Sequence, residues 1–399
     1  MAKPYGPVCN LDCAYCFYRY KKDQLGKDHN WRMDYETLEI FVRDYISSQP
    51  KGYPVQFVWQ GGEPSLLGLD FFRQAVELQK RYKKPSQEIT NAFQTNAILI
   101  DDKWAAFFKE NNFLVGVSID GPKDIHDHYR VDSRKKGSFD RVMDGVENLR
   151  KYNVDHNALV CVTDISSKDP LHVYSFLKKN FDFIQFIPVV EEKGFKRKAP
   201  FLKDTKKWVI NKGKKHSDLV TSWSTTPEGY GIFLNKIFDE WVRYDVGRVF
   251  VQIFDTTLAN WMGYPPTLCI FNKTCGRALV LEHNGDIYAC DHFVYPEYRI
   301  GNIKERNLAE LAQVPSQLRF GRDKWNRLPR QCLKCEYLHL CFGGCPKNRF
   351  IFTKDGKEEL NYLCKGYSAF FEHTSQAMGF MANELSNHRS PANIMERFG

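Results

Sequence analysis

The sequence lacks any long uninterrupted run of apolar residues, and its N-terminus lacks a basic stretch followed by an apolar one. A membrane-spanning helix needs about 18 consecutive apolar residues, and a secretory signal peptide needs both of those N-terminal regions. Low-complexity tracts and internal repeats of fixed period are also missing, and 43% of the residues are hydrophobic, which excludes a disordered chain or a repeat array. We therefore expect a globular, cytoplasmic protein without a membrane partner.

Acidic side chains are fewer than basic ones, with 48 Asp and Glu against 57 Lys and Arg, a net charge of +9. The basic residues occur in short, scattered runs such as Lys21-Lys22, Lys83-Lys84 and residues 134–136 and 212–215. A nucleic-acid groove concentrates basic residues on one surface, whereas scattered runs are typical of solvated faces. We expect no nucleic-acid partner.

Cysteine, in contrast, is abundant, with twelve residues. A reducing cytoplasm disfavours disulfides, so the cysteines indicate metal or redox chemistry.

The first half of the sequence alternates short apolar runs with longer stretches of helical periodicity. The predicted strands are Val55–Trp59, Asn91–Thr95, Leu114–Ile119, Ala158–Val162 and Phe183–Pro188, and the predicted helices are Tyr35–Ser48, Leu69–Tyr82, Asp102–Asn111, Phe139–Tyr152 and Pro170–Asn180. A repeated strand–helix order predicts a parallel sheet with right-handed crossovers. Six such units predict an α/β fold, a partial (β/α)6 TIM-like barrel, with its chemistry at the carboxyl ends of the strands.

The pattern changes after Lys193 to a Lys-rich segment, followed by a predicted helix around Tyr230–Tyr244. Beyond Thr267 the sequence is cysteine-rich and loop-like until a final predicted helix, roughly Gly366–Leu385. We predict a barrel with its linker over residues 1–260, a cysteine-rich domain over 261–385 and a tail over 386–399.

The first cysteine group is CNLDCAYC, with Cys9, Cys13 and Cys16 separated by three and two residues. Three thiolates on one tight loop can bind three irons of a four-iron cluster and leave the fourth iron open to an exogenous ligand. A structural zinc site is the alternative, but it needs four ligands and no fourth follows nearby.

The other metal-type cysteines lie in the C-terminal third. One stretch, CLKCEYLHLCFGGC, contains Cys332, Cys335, Cys341 and Cys345, and the remaining ones are Cys269, Cys275, Cys290 and Cys364. Eight thiols are enough for two four-thiolate sites, although paired cysteines with short gaps also suit a zinc ribbon. Cys161 is the spare, and we expect an inert thiol inside a buried strand.

Polar motifs follow the predicted strands. Gln60-Gly61-Gly62-Glu63-Pro64 comes after Val55–Trp59, where two glycines allow close backbone approach and a carboxylate can receive an ammonium group. Ser118 ends another strand and Arg130 follows it, and both are suitable donors to a carboxylate. Gln94 and Asn96 end the strand between these two; each can reach a ligand, although single amides in strands are more often structural.

The segments Cys9–Tyr18, Gln60–Pro64, Cys290–Phe293 and Cys332–Arg349 resemble those of the anaerobic sulfatase-maturating enzymes, which are radical S-adenosylmethionine (SAM) enzymes with a C-terminal SPASM extension. The resemblance covers nearly the whole chain. It implies SAM and three [4Fe-4S] clusters as cofactors, with Cys9, Cys13 and Cys16 on the SAM cluster. It also implies that Gly61, Gly62, Glu63, Ser118 and Arg130, with Gln94 and Asn96, contact SAM. The two auxiliary clusters would use Cys269, Cys275, Cys290 and Cys345, and Cys332, Cys335, Cys341 and Cys364.

The same resemblance implies the reaction. Family members oxidise a Cys or Ser of a sulfatase polypeptide, within a Cys/Ser-x-Pro-x-Arg motif, to Cα-formylglycine through a 5′-deoxyadenosyl radical. Asp291 matches the general base, although a loop Asp that orients its neighbour Cys290 is the alternative. Tyr18 and Gln60 match positions that line the substrate site. An electron donor such as flavodoxin or ferredoxin is implied as a partner.

Two other functions remain open. A SPASM peptide maturase that forms thioether or carbon–carbon crosslinks shares most of these motifs, but such enzymes often have a recognition domain before the first cysteine group, and only eight residues precede Cys9. A zinc-binding interaction protein explains the C-terminal cysteines but leaves the first group unexplained. The short N-terminus also predicts a first strand of only about Ala2–Tyr5, which is either naturally short or clipped. The sequence does not distinguish a Cys substrate from a Ser substrate.

Overall fold

The computed structural model describes residues 1–25, 30–50, 52–194, 199–201, 214–276 and 278–398. Most of the predicted Lys-rich segment after Lys193 lies outside these residues. In the described part of the chain no helix is both long and apolar enough to cross a membrane.

The predicted helices occur almost where periodicity places them. The helices of two turns or more are α1 (Tyr35–Ser48), α2 (Leu69–Tyr82), α3 (Asp102–Glu110), α4 (Lys123–Tyr129), α5 (Phe139–Lys151), α6 (Pro170–Asn180), α7 (Pro227–Tyr244), α8 (Gln252–Trp261), α9 (Pro315–Asn326) and α10 (Cys364–Ser386). Single-turn helices cover His216–Leu219, Leu308–Leu311, Arg330–Leu333, Leu338–Cys341 and Met395–Phe398. Side-chain caps set several starts: the Asp34 carboxylate accepts from the Thr37 N–H at 2.7 Å before α1, and Thr226 caps α7 ahead of Pro227.

The strands are β1 (Ala2–Lys3), β2 (Val55–Trp59), β3 (Ile89–Thr95), β4 (Phe113–Ser118), β5 (His156–Val162), β6 (Phe183–Pro188), β7 (Phe250–Val251), β8 (Val280–Glu282), β9 (Asp286–Tyr288), β10 (Arg299–Asn302), β11 (Arg349–Ile351) and β12 (Leu360–Asn361). The first strand is shorter than the predicted Ala2–Tyr5, because the Gly6 N–H turns back to the Lys3 carbonyl.

The chain divides into two compact units. The first contains residues 1–119, 126–157 and 277–320, and the second contains residues 120–125, 158–276 and 321–399.

The first unit is built on parallel strands. β1, β2, β3 and β4 pair in that order, with Ala2 opposite Trp59 and Val55 opposite Ile89. On its other edge β1 pairs in parallel with β8, which continues antiparallel into β9 and β10. Aromatic side chains fill the space between the strands and α2 and α3; the ring centroids of Phe72 and Phe93, for example, lie 5.0 Å apart in an edge-to-face arrangement. The carboxyl ends of β1, β2 and β8 therefore lie side by side.

The second unit contains five strands and a core of its own. β5, β6 and β7 are parallel, and β11 and β12 form an antiparallel pair. An aromatic cluster of Phe238, Trp241, Phe254 and Phe370 joins α7, α8 and α10. Cys161 was expected inside a buried strand, and this expectation needs correction. β5 is buried only at alternate residues, and Cys161 lies on its half-buried face.

Candidate active site and cluster sites

The Gly61-Gly62-Glu63 loop lies against the backbone of the first cysteine loop. The N–H groups of Gly62 and Glu63 donate to the carbonyls of Gly6 and Val8, each at 2.8 Å. A Cβ on Gly62 would lie 2.0 Å from the Val8 oxygen, so a larger residue does not fit. The two glycines were predicted to allow the close approach of a ligand. In the structure, Gly62 allows the close approach of the backbone at Val8, next to the first cysteine group.

Glu63 is buried and accepts hydrogen bonds from its own neighbourhood. Its carboxylate accepts from the Ser65 hydroxyl at 2.6 Å, the Thr95 hydroxyl at 2.8 Å and the Asn96 N–H at 2.7 Å. Burial raises the pKa of the Glu63 carboxyl, and these donors act in the opposite direction. Thr95 was not among the predicted site residues, and its position at the end of β3 is the signal that identifies it.

Asn96, Arg130 and Cys9 come together beside this loop. The Asn96 amide donates to Asn10 at 2.7 Å, within the first cysteine group. Arg130 is 7% exposed, and its guanidinium carbon lies 5.5 Å from the centre of the Tyr15 ring. Burial raises the pKa of the Cys9 thiol to about 12, and Arg130 counteracts that rise.

Ser118 and Gln94 take positions on neighbouring strands. Ser118 is the last residue of β4, and Gln94 is the penultimate residue of β3, where it pairs with Gly116. Both are half-buried.

Lys3 joins the predicted base, Asp291, to the two residues that were predicted to line the substrate site, Tyr18 and Gln60. It is fully buried, and its Nζ lies 2.6 Å from Asp291 Oδ1 and 3.3 Å from Gln60 Oε1. The same nitrogen lies 3.8 Å from the centre of the Tyr18 ring. Burial alone raises the pKa of the Asp291 carboxyl, but Lys3 and His292 outweigh burial, so this pKa lies below its usual range.

The Tyr18 hydroxyl contacts an anionic side chain, Glu282. Its hydroxyl donates to Glu282, with both carboxylate oxygens at 2.7 Å, and Glu282 is fully buried at the end of β8. Burial, and then Glu282, raise the pKa of the Tyr18 hydroxyl well above its usual value, so the hydroxyl stays protonated. Lys3 and Glu282 were both missed by the sequence analysis, although a single charged residue at the end of a short apolar strand is a usable signal.

Four cysteines of the second unit line one cavity of about 240 Å³: Cys332, Cys335, Cys341 and Cys364. Burial, together with the nearby thiols of Cys341, Cys332 and Cys335, raises the pKa of Cys364 to about 12. A four-iron cluster binds each thiolate at a different iron, so its ligands surround a volume rather than a point. The cavity fits that requirement. Among the described residues, no three His, Cys, Asp or Glu side chains converge on one ion position.

Cys345 belongs to a different neighbourhood from Cys341, although only three residues separate them. Burial raises the pKa of Cys275 to about 12, and the nearby thiols of Cys345 and Cys269 contribute to this rise. Cys290, in the first unit, lies just after β9 and is half-buried.

Comparison with known proteins identifies the family. The Radical SAM superfamily model matches residues 4–177, and the model of SPASM, an iron-sulfur cluster-binding domain, matches residues 269–336. A serine-type anaerobic sulfatase-maturating enzyme of Bacteroides thetaiotaomicron is 46% identical over 397 residues, which cover 99% of this chain and 94% of that protein. This chain belongs to the anaerobic sulfatase-maturating enzymes.

Two further comparisons point to the same family. A cysteine-type anaerobic sulfatase-maturating enzyme of Clostridium perfringens is 34% identical over 392 residues, which cover 96% of this chain and 98% of that protein. A solved structure, native anSMEcpe with bound AdoMet and Cp18Cys peptide, matches with a TM-score of 0.81 at 34% identity and covers 96% of this chain and 98% of that chain.

The predicted family and fold class are confirmed: the protein is an α/β radical SAM enzyme with a partial barrel and a C-terminal SPASM iron-sulfur domain. Membership of this family sets aside the crosslinking-maturase and zinc-protein alternatives. It implies SAM and iron-sulfur clusters as cofactors.

Proposed function

We propose that this sulfatase-maturating enzyme converts a Cys or Ser in a Cys/Ser-x-Pro-x-Arg motif of an unfolded sulfatase polypeptide into Cα-formylglycine, in the cytoplasm. The observation that carries the proposal is the contact of Lys3 with Asp291, Gln60 and Tyr18 at the carboxyl ends of β1 and β2. Such strand ends are where barrel enzymes place their chemistry.

The residues around the first cysteine group would bind SAM. Cys9, Cys13 and Cys16 would hold its cluster, and Glu63 would face the amino group of SAM from a loop fixed by Gly61 and Gly62. Ser118 and Arg130 would bind the carboxylate, with Gln94 and Asn96 nearby. When bound, SAM supplies a 5′-deoxyadenosyl radical that removes one hydrogen atom from the substrate Cβ.

Asp291 would act as the general base. After the hydrogen atom leaves Cβ, oxidation to the thioaldehyde or aldehyde level requires loss of the proton on the substrate sulfur or oxygen and of one electron. Asp291 is ionised because Lys3 and His292 lower its pKa, so it can accept that proton. Gln60 and the ring of Tyr18 would orient the substrate around it.

Two auxiliary [4Fe-4S] clusters would accept the remaining electron, which makes three clusters in all. Cys332, Cys335, Cys341 and Cys364 share a cavity that fits one of them. Cys269, Cys275 and Cys345, with Cys290, would serve the other. A flavodoxin or ferredoxin would exchange electrons with the enzyme.

The test is turnover of paired peptides by the anaerobically reconstituted enzyme. The peptides are identical except for Cys or Ser in the motif, and mass spectrometry follows both the peptide and 5′-deoxyadenosine. We expect loss of two hydrogens, or the derived aldehyde, in at least one peptide, and about twelve irons per chain. Cleavage of SAM with both peptides unchanged would refute formylglycine formation.

A further inference from the structure

Two buried cations lie among the cysteines of the second unit, and this inference about them rests on the auxiliary clusters of the proposed function. Lys324 is fully buried and Arg349 is 3% exposed. No Asp or Glu of the described residues lies within ion-pair distance of either. Other buried charges of this unit are paired: Glu191 meets Lys347 at 2.5 Å, and Asp245 meets Lys178 at 3.0 Å.

Backbone carbonyls hold both cations. Arg349 donates to Lys324 O at 2.6 Å and to Phe342 O and Gly343 O at 3.1 Å each. Lys324 Nζ donates to Cys269 O and Ile270 O, each at 2.8 Å. Carbonyl dipoles satisfy the N–H groups but leave each cation without an anion, and an uncompensated buried charge is costly.

The backbone between two of the cysteines is shaped around Arg349. Phe342, Gly343 and Gly344 all have positive φ, at 44°, 73° and 61°. A Cβ on Gly343 would lie 2.7 Å from the Arg349 guanidinium. A non-glycine residue in the left-handed region is strained, so the turn holds Phe342 in an unfavourable backbone conformation.

The groups that interact electrostatically with these cations are the cysteine side chains, which bind iron as thiolates. Arg349 interacts electrostatically with Cys332 and Cys341 and also with Cys275 and Cys345, so it lies between the two groups. Lys324 interacts most strongly with Cys275, Cys345 and Cys269, and it also has a smaller effect on Cys341. A cluster with four thiolate ligands is negatively charged, and this is the missing counter-charge.

We propose that Arg349 and Lys324 are the built-in counter-cations of the auxiliary clusters and set their reduction potentials. Adding one electron makes a cluster more negative, so a desolvated cation stabilises the reduced form. Arg349 acts on both clusters, and Lys324 acts mainly on the cluster of Cys269, Cys275 and Cys345. The pair thus favours transfer of the substrate electron into the second unit.

The test is a redox titration followed by electron paramagnetic resonance. It uses full-length enzyme in which Cys9, Cys13 and Cys16 are changed to Ala, so that only the auxiliary clusters contribute. About eight irons per chain confirm that they are present; fewer would refute the two-cluster proposal itself. In Lys324→Met we expect one centre to show an about tenfold smaller ratio of reduced to oxidised form at a fixed potential, or about 59 mV for one electron.

Arg349→Gln should shift both centres, and Arg349→Lys, which keeps the charge, should shift them less. Lys334→Met is the matched control: Lys334 lies between Cys332 and Cys335 but is exposed, so water screens its charge. If Arg349→Gln does not retain iron and Arg349→Lys does, the need for the charge is supported. Unchanged potentials in Lys324→Met and Arg349→Gln with full iron content would overturn the inference and leave formylglycine formation intact.

Discussion

Lys3 touches its neighbours in two ways, as an ion-pair partner of Asp291 and as a cation above the ring of Tyr18. Lys3→Met removes both contacts and leaves the half-buried Asp291 carboxylate beside Gln60 without its cation. We expect SAM cleavage to continue while product formed per 5′-deoxyadenosine falls about tenfold to a hundredfold, because the base and the substrate lose their alignment.

Quantifying peptide product and 5′-deoxyadenosine in the same reactions measures this ratio. Lys3→Arg keeps the positive charge and should recover part of the coupling, and Lys22→Met, at an exposed lysine, should leave it unchanged. A Lys3→Met enzyme with wild-type coupling and full iron content would show that Lys3 has no part in positioning the base.

Asp291→Asn tests the base itself. The substitution keeps the size of the side chain and removes its capacity to accept a proton. We expect the clusters and SAM cleavage to persist and product formation to fall by about two to four orders of magnitude, the usual contribution of a general base. Iron analysis and mass spectrometry of the peptide measure the two effects separately. Wild-type turnover would remove Asp291 from the base role.

The Gly61–Glu63 loop is locked to the first cysteine loop by the close approach at Gly62. Gly62→Ala places a methyl group 2.0 Å from the Val8 oxygen, so one of the two loops has to move. We expect loss of SAM binding, measured by equilibrium dialysis, together with a lower melting temperature. Gly379→Ala is the matched control, because nothing lies within 4 Å of that Cβ on α10. It should be neutral or stabilising by up to about 1 kcal/mol.

Helices α6 and α7 are joined by an ion-pair network at the end of α7. The fully buried Asp245 carboxylate accepts from Tyr174 at 2.9 Å and Lys178 at 3.0 Å, and it also contacts Arg248. Burial raises the pKa of Asp245, but these donors outweigh it and leave this pKa below its usual range. Asp245→Asn should therefore lower the free energy of unfolding by about 2 kcal/mol.

The sign of the pKa shift determines how this loss depends on pH. A lowered folded pKa gives stability that is complete above the unfolded value of about 3.9 and is lost only as the pH falls through the folded value. Urea unfolding at pH 6 and pH 8 should therefore give the same difference between wild type and Asp245→Asn. Asp239→Asn, in a half-exposed pair on the same helix, should have little effect. A loss that grows between pH 6 and pH 8 would contradict the assignment.

The protein as a whole combines a barrel that periodicity predicts well with contacts that it does not predict. β2, β6, α1, α2 and α6 begin and end where their apolar patterns do, because local burial sets those limits. Lys3 and Glu282 escaped prediction, because the pairing of β1 with β8 joins residues almost 280 positions apart and leaves no local period. Arg349 was not predicted as a functional residue, because it donates its hydrogen bonds to backbone carbonyls rather than to acidic side chains. The cysteines could be proposed as cluster ligands because spacing alone indicates their chemistry.

Removal of the clusters should weaken the second unit in particular. Without the clusters, the thiols around the cavity would have no iron to bind. The buried Arg349 and Lys324 would have no counter-charge. We expect the chelated protein to melt at a lower temperature than the holoenzyme, in scanning calorimetry under reducing conditions. Identical melting curves would mean that the fold of this unit does not depend on its clusters.

The pairing of β1 with β8 also bears on how the protein is made. A ribosome adds about 5–20 residues per second, so about 15–55 s separate the synthesis of Ala2 from that of its partner Leu281. During that interval one edge of β1 has no strand to pair with. Lys3 cannot form its ion pair until the segment that contains Asp291 has been synthesised. A nascent chain halted before residue 280 should therefore expose its N-terminus to proteases, and release of the halt should protect it. The enzyme can therefore fold completely only after the last third of its chain has been synthesised.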